Sequence, residues 1–332
     1  MNDFSPSVII PVHNGERTIG RAIEAVLRQR DVGPVEVIVV DDGSTDKTEE
    51  IVAAYSSVKY IRQKNAGPAT ARNRGAREAR GDLLCFTDAD CVPHDDWLAR
   101  MIKHCHDPSV AAVAGSYGIA NPDNVLAACV HQEIRYRHDQ RMGAYIRAFG
   151  SYNVGIKRKV FDELGGFNAA YRQASGEDNE LSYRIIAAGY KIYFARESLV
   201  DHYHPTRLIA YLRDQSRHGY WRARMYVGHP AMSKGDDYTF WKDIIEVALA
   251  AALLLAFGLG LADVEGGKPL GSIVLIIFLI IEIYFCYLYK IKFPQTPYFA
   301  VVMVLRSLTR TFGLFGGSLS LLPAVFRSVF NR

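Results

Sequence analysis

Cysteine is scarce in this chain: Cys85, Cys91, Cys105, Cys129 and Cys286 among 332 residues. The number is odd and the spacing matches no metal site, so the five read as buried, reduced thiols. Long basic runs are also missing, and the formal net charge is only +4, which argues against nucleic acid as a partner. The opening Met-Asn-Asp-Phe-Ser-Pro has no basic stretch followed by an apolar core, so no cleaved signal peptide is expected. Nor does a Gly-rich basic loop follow the first apolar run. His13-Asn14-Gly15-Glu16 stands there instead, which disfavours a nucleotidyltransferase gripping a triphosphate.

What is present is unevenly placed. Hydrophobic residues make up 49%, yet residues 1–240 read as a soluble α/β protein and the remainder does not. Residues 7–12 are a short β-branched run, a buried strand ended by Pro11. Residues 35–40, 58–61 and 83–87 are further strands, and apolar residues at helical spacing separate them (Ile19, Ala22, Ile23, Val26, Leu27; then 46–55 and 67–80). Ser44 or Thr45 is expected to cap the second helix. Strands alternating with helices imply a parallel, doubly wound sheet. Beyond residue 95 the spacing predicts helices over 97–106 and 125–141, a strand over 110–115, and a loop rich in Gly and Asn before Lys157. A helix with one apolar face follows Glu177-Asp178-Asn179-Glu180. Short strands at 190–194 and 198–200 and a basic amphipathic helix at 208–226 come last.

Two carboxylates, Asp88 and Asp90, sit one residue apart directly after the apolar run 83–86. Open α/β sheets bind ligands at that edge. Side chains at i and i+2 can converge on one divalent cation, which prefers oxygen ligands and substrate phosphates. The plainer reading of such a pair is a turn or helix cap. The same rival attends the acidic stretches at 41–46 and 177–180, the latter at a helix N-terminus where the dipole tolerates negative charge.

Two segments, about 244–262 and 270–289, are apolar apart from Glu246 and Glu282. Each has the length needed to cross a hydrocarbon core of about 30 Å. Lys290 and Lys292 follow the second, and basic flanks favour the cytoplasm. The expectation is a helical hairpin in the plasma or inner membrane, with the catalytic domain in the cytoplasm. A third apolar stretch, about 298–326, carries Arg306 and Arg310 one turn apart. Central arginines are costly in lipid, so an interfacial or re-entrant helix is expected, its Arg face toward lipid phosphates or the catalytic domain.

Four stretches, SVIIPVHNGERTIGRAIEAVLRQ, EVIVVDDGSTDKT, NAGPATARNRGAREARGDLLCFTDADC and GGFNAAYRQASGEDNELSYRIIAAGY, together resemble family-2 glycosyltransferases of the GT-A fold, in family order across about residues 7–205. The resemblance implies a Rossmann-like, doubly wound mixed sheet forming a catalytic domain over 1–228, with a nucleotide-binding half (about 1–115) and an acceptor-binding half (116–228). A membrane region over 240–332 would follow. Pro11, His13 and Glu16 would then line the nucleotide pocket, His13 standing where an aromatic Tyr is common. Asp42 would bind the nucleobase edge, Asp41 being structural. Arg72 would contact base or phosphate, while Asp88 and Asp90 would hold Mg2+ or Mn2+ and the diphosphate. Asp178 would be the general base and Glu177 its orienting partner. His202 or His204 resembles a late histidine near the diphosphate and is a candidate metal ligand, against a plain strand-end role.

The expected activity is inverting, metal-dependent transfer of one sugar from a UDP-sugar, or a GDP-sugar, to a lipid-linked or membrane-presented acceptor in surface polysaccharide or glycolipid synthesis. A UDP-α-sugar would give a β-linkage. Processive relatives carry Gln-x-x-Arg-Trp near a helix where this chain has Gln215-Ser216-Arg217-His218-Gly219, so single-sugar transfer is favoured. Transfer directly to polyprenyl phosphate is the near alternative. A non-catalytic membrane scaffold is the distant one, and it would predict loss of Asp88, Asp90 or Asp178.

Overall fold

The computed structural model describes residues 4–173, 176–230, 237, 239 and 241–330, with side chains through residue 321. Ala174 and Ser175 of the late acidic motif, and the side chains of 322–326 in the expected interfacial helix, lie outside the described residues. The chain forms two compact units, 1–121 with 138–204, and 122–137 with 205–332.

The first unit begins β1 (Pro6–Val12), α1 (Ile19–Leu27), β2 (Glu36–Asp41), α2 (Thr48–Ala53), β3 (Val58–Arg62), α3 (Pro68–Glu78), β4 (Leu83–Thr87). Val8, Ile9 and Ile10 are all fully buried, the pattern of a strand covered on both faces. A Cβ on Gly75 would lie 2.4 Å from Ile9 Cγ2, so this glycine lets α3 settle directly on β1. Then come β5 (Cys91–Pro93), α4 (Trp97–Ile102), β6 (Val110–Ile119), α5 (Val125–Gln140), β7 (Tyr145–Ile146), β8 (Asn153–Lys157), α6 (Arg158–Glu163), α7 (Glu177–Ala187) and β9 (Lys191–His202).

The sheet runs β3-β2-β1-β4-β8-β6-β9-β5, with β7 on β9. It is mixed. Strands β1–β4 are parallel, and β8 enters antiparallel between β4 and β6. Strand β8 falls where composition suggested a loop. Its Asn153 is fully buried because the side chain crosslinks three elements, accepting from Trp97 Nε1 at 2.7 Å and donating to the carbonyls of Ser116 and Ser198. The two short late strands are one, β9. Its pairing with β6 slips between Gly115 and Ser116, so Arg196-Glu197-Ser198 bulge out of register. All five cysteines are buried free thiols.

The second unit holds the first part of α5 and four further helices: α8 (Leu208–Gly228), α9 (Trp241–Leu261), α10 (Gly267–Leu288) and α11 (Thr296–Phe330). This grouping departs from a division at residue 228, because α5 and α8 bury apolar residues against the late helices: Leu126, Cys129 and Tyr211 share a core with Phe285, Tyr289, Phe299 and Met303. Helices α9 and α10 each reach a mean hydropathy of 2.4 and stay mostly exposed along their apolar windows, whereas α11 reaches 1.3 and is half buried. All three are long and apolar enough to cross a membrane.

Arg306 and Arg310 face carboxylates of their own unit. Arg306 Nη1 lies 2.7 Å from both Glu133 oxygens, and its Nη2 lies 2.8–2.9 Å from both Glu246 oxygens. Lys242 joins Glu246 to Glu282, Arg137 joins Glu133 to Asp243, and Arg310 reaches Gln215 and Asp243. Four cations thus meet four carboxylates.

Candidate active site

Strands β1, β2 and β4 run parallel, so their C-terminal ends share one edge. His13, Asp42 and Asp88 each follow one of these ends by a single residue. The chain passes from β1 outward to β3 and then returns to the other side of β1 as β4. That reversal of strand order is where open α/β sheets place their ligand crevice.

On the β1–β2 side the carboxylate of Asp42 is nearly buried and organises the loop after β3. Its Oδ1 accepts from Gln63 Nε2 at 2.7 Å and from the amide of Ala66, its Oδ2 from the amide of Gly67 at 2.8 Å. Gly67 adopts φ 94°, open to a glycine without strain. His13 Nδ1 stands 3.1 Å from the Asp42 carbonyl and 3.3 Å from Asn65 Nδ2. Asp41 accepts from the Ser44 amide and the Tyr60 hydroxyl at 2.7 and 2.6 Å, a structural post. Pro11 is buried inside β1, opposite Val40. Glu16 is exposed and accepts from the Lys47 amide, while Asp46 accepts from Thr48. These two carboxylates cap α2, where Ser44 or Thr45 had been expected. Ser44 Oγ accepts the Asn14 amide instead, at 2.9 Å.

On the β4 side, Arg72 of α3 is buried and forked between two carboxylates. Nη1 donates to Glu177 at 2.8 Å and Nη2 to Asp88 at 2.7 Å. The guanidinium also lies 5.6 Å from the ring centre of Phe167. Residues from three distant stretches, α3, the end of β4 and the start of α7, therefore meet on one planar cation, whose fork suits two acceptors at once. Asp178 sits beside Glu177 in the first turn of α7, after Gly176 in a left-handed conformation. Its oxygens accept from the amides of Asn179 (2.8 Å) and Ser151 (3.3 Å). Burial, with the Glu177 charge next to it, nonetheless pushes this carboxyl up to about 7, against the pull of those amides and Arg72.

Asp90 belongs to a third group. Asp90, Cys91 and His202 offer ligand atoms within 4.8 Å of one another, because β5 pairs antiparallel with β9 and sets Cys91 opposite His202. His202 Nε2 lies 3.4 Å from Asp90 Oδ2. Burial works against the charged forms, yet each ion favours the other: His202 is raised and Asp90 lowered from their usual ranges. Cys91 is held as a thiol by burial and the nearby Asp90 and Asp88 charges. A carboxylate and an imidazole suit a hard or borderline divalent cation, and a neutral thiol adds nothing to that set. Asp88 is not in the group; its carboxylate is turned to Arg72. His204 is not in it either. Its ring is buried and its Nδ1 lies 3.2 Å from His202 Nδ1. Sequence reasoning missed Asn153, Gln63 and Ser151, which carry no charge and no motif spacing of their own; Phe167 falls inside a matching stretch but is given no role there.

Residues 7–174 match the family described as glycosyl transferase family 2. A pre-mycofactocin glycosyltransferase of Mycobacterium tuberculosis is 29% identical over 264 residues, 77% of this chain and 53% of that protein. Glycosyltransferase AglE of Haloferax volcanii is 30% identical over 202 residues, 59% of this chain and 66% of that one. The matches thus take in about half to two thirds of these relatives' length. The fold is similar to that of the mannosyltransferase PcManGT from Pyrobaculum calidifontis, solved with GDP-Man and Mn2+, at a TM-score of 0.55 and 19% identity over 99% of this chain and 88% of that one. A family match over half of the chain, on a fold shared with a known glycosyltransferase, makes this protein a member of glycosyl transferase family 2.

Proposed function

We propose that the chain transfers a single sugar from a nucleotide diphosphate sugar to an acceptor presented at a membrane, with inversion at the anomeric carbon. The carrying observation is the pair of unlike carboxylates at one sheet edge: Asp90, held charged beside His202, and Asp178, tuned to about 7. Environments that push two acids apart in this way separate their chemical roles. Asp178 takes the proton of the acceptor hydroxyl, since a base works best with a pKa near the operating pH. A single base opposite the leaving group gives direct displacement. Asp90 and His202 would hold Mg2+ or Mn2+, which supplies neutralisation of the departing diphosphate. Arg72 keeps Asp88 and Glu177 in place across the crevice, and Asp42 shapes the loop that receives the nucleobase.

The donor in this reading is a UDP-sugar. The mannosyltransferase of similar fold was solved with GDP-Man, so both bases belong in the test. Detergent-purified protein is given UDP- and GDP-sugars with Mg2+ or Mn2+, and nucleotide release is measured. Slow, cation-dependent release of one nucleotide, lost in Asp90→Ala, is expected. The absence of both release and nucleotide binding for every donor would leave only the non-catalytic scaffold.

The acceptor is lipid-linked in this reading, because α9 and α10 expose apolar residues along most of their length, among them Leu255, Phe257, Ile276 and Ile280. These two helices span; α11 lies at the membrane surface. A Cβ on Gly313 or Gly317 would meet the carbonyl of Ser216 or Tyr220 of α8 at 2.0–2.3 Å. Helix α8 exposes Arg213 and Arg217, so the part of α11 touching it stands outside the hydrocarbon. Activity on a soluble acceptor with none on lipid-linked ones would count against this arrangement.

A further inference from the structure

We propose that His204 is a positioning residue for the cation site: it is not a ligand, and it fixes the ring of His202 in the one tautomer that can bind a metal through Nε2. The proposal rests on the cation-binding reading of Asp90 and His202 given above.

The argument is one of proton accounting on two rings. A metal bound by His202 Nε2 requires the lone pair on that nitrogen, so the proton of the neutral ring must sit on Nδ1. That Nδ1 lies 3.2 Å from His204 Nδ1, and two ring nitrogens at this distance need one donor and one acceptor. His202 as donor makes His204 the acceptor, with the His204 proton on its own Nε2. The reverse assignment would put the His202 proton on Nε2, aimed at Asp90 and blocking a metal. His204 therefore decides between a competent and an incompetent His202.

Its own freedom to turn away is small. The ring is 4% exposed. Asn121 clamps its backbone on both sides, accepting from the His204 amide at 3.0 Å and donating to the His204 carbonyl at 2.8 Å. Tyr117 lies edge-on to His204 at 5.7 Å and tilted against His202 at 5.1 Å, while its other neighbour Tyr152 stacks on it at 3.6 Å. Asp90 is also tied to the segment between the two histidines, its carbonyl accepting from the Tyr203 amide at 3.0 Å. The three residues Asp90, His202 and His204 thus form a relay in which only the first two face the cation. Outer partners of this kind change metal affinity by about 10–100-fold when removed.

The test is Mn2+ binding followed by electron paramagnetic resonance on the full-length protein in detergent, with Mn2+ alone and with UDP or GDP. His204→Asn keeps an acceptor oxygen where Nδ1 stands; His204→Leu keeps bulk and removes the acceptor. Mn2+ affinity should fall about 10–100-fold in His204→Leu and stay within about threefold of the wild type in His204→Asn. Nitrogen hyperfine coupling to Mn2+ should report one bound imidazole in the wild type, lost in His202→Ala and retained in His204→Asn. Two bound imidazoles in the wild type, or equal loss in both His204 variants, would overturn the proposal, as would unchanged affinity in His204→Leu. Thermal unfolding of each variant separates lost binding from lost fold. A wild-type protein that binds no Mn2+ with either nucleotide would remove the cation reading itself.

Discussion

Arg72 shows how much a single side chain can organise. It is buried with Glu177 also buried, and it holds Asp88 as well. Removing one partner of a buried pair costs about 3–5 kcal/mol because the other charge is left stranded. Arg72→Ala should therefore lower the unfolding midpoint markedly and abolish transfer. Arg72→Lys should restore stability in part and activity little, since an ammonium cannot fork to two carboxylates; differential scanning fluorimetry and nucleotide release check the two. Asp178→Asn should cut turnover by about 10²–10⁴ with nucleotide affinity unchanged in calorimetry. The base must be deprotonated, so kcat/KM should fall tenfold per unit below about pH 7, where Asp178 takes up its proton. The sign for stability is the reverse. A carboxyl raised above its unfolded value binds its proton more tightly when folded, so stability is lost as pH climbs from the unfolded pKa through about 7. Asp178→Asn should then unfold at a higher temperature than the wild type at pH 8.

At the scale of elements, the sequence was most legible where one period ran unbroken. The first four strands and three helices lie within a few residues of their expected places, and the paired acids follow the C-terminal end of β4. Legibility failed where long-range contacts override composition. Residues 153–157 read as a loop because Asn and Gly avoid strands, yet Asn153 is spent on three buried partners. The late acids announced themselves by type, but not their division of labour. Pairing of β5 with β9 brings Asp90 to His202, while α3 brings Arg72 to Asp88. Glu16 resembles a pocket residue, and the sequence did not show that its carboxylate also accepts from the Lys47 amide at the start of α2. The contact of α8 with α11 is a backbone approach made by Gly219, Gly313 and Gly317. Gly317→Leu should force the helices apart and lower thermal stability in detergent by an amount typical of overpacking, about 1–3 kcal/mol. The same change at Gly258, where a Cβ would meet nothing within 4 Å, should do little.

For the whole molecule, the odd or even number of spans decides where the chain ends. With α9 and α10 crossing and α11 on the surface, an epitope tag at the C-terminus should be labelled from the same side as one at the N-terminus, in right-side-out and inverted vesicles alike. Labelling from opposite sides would make α11 a third span. The balanced set of Arg137, Lys242, Arg306 and Arg310 with Glu133, Asp243, Glu246 and Glu282 also sets the order in which the protein can be completed. Glu133 precedes Arg306 by 173 residues. Arg137, one turn further along α5, pairs with Glu133 locally, whereas at about 5–20 residues per second on the ribosome the second guanidinium, that of Arg306, follows on the order of ten to thirty seconds later. The charge set of the helical unit is therefore complete only once Arg306 has been made.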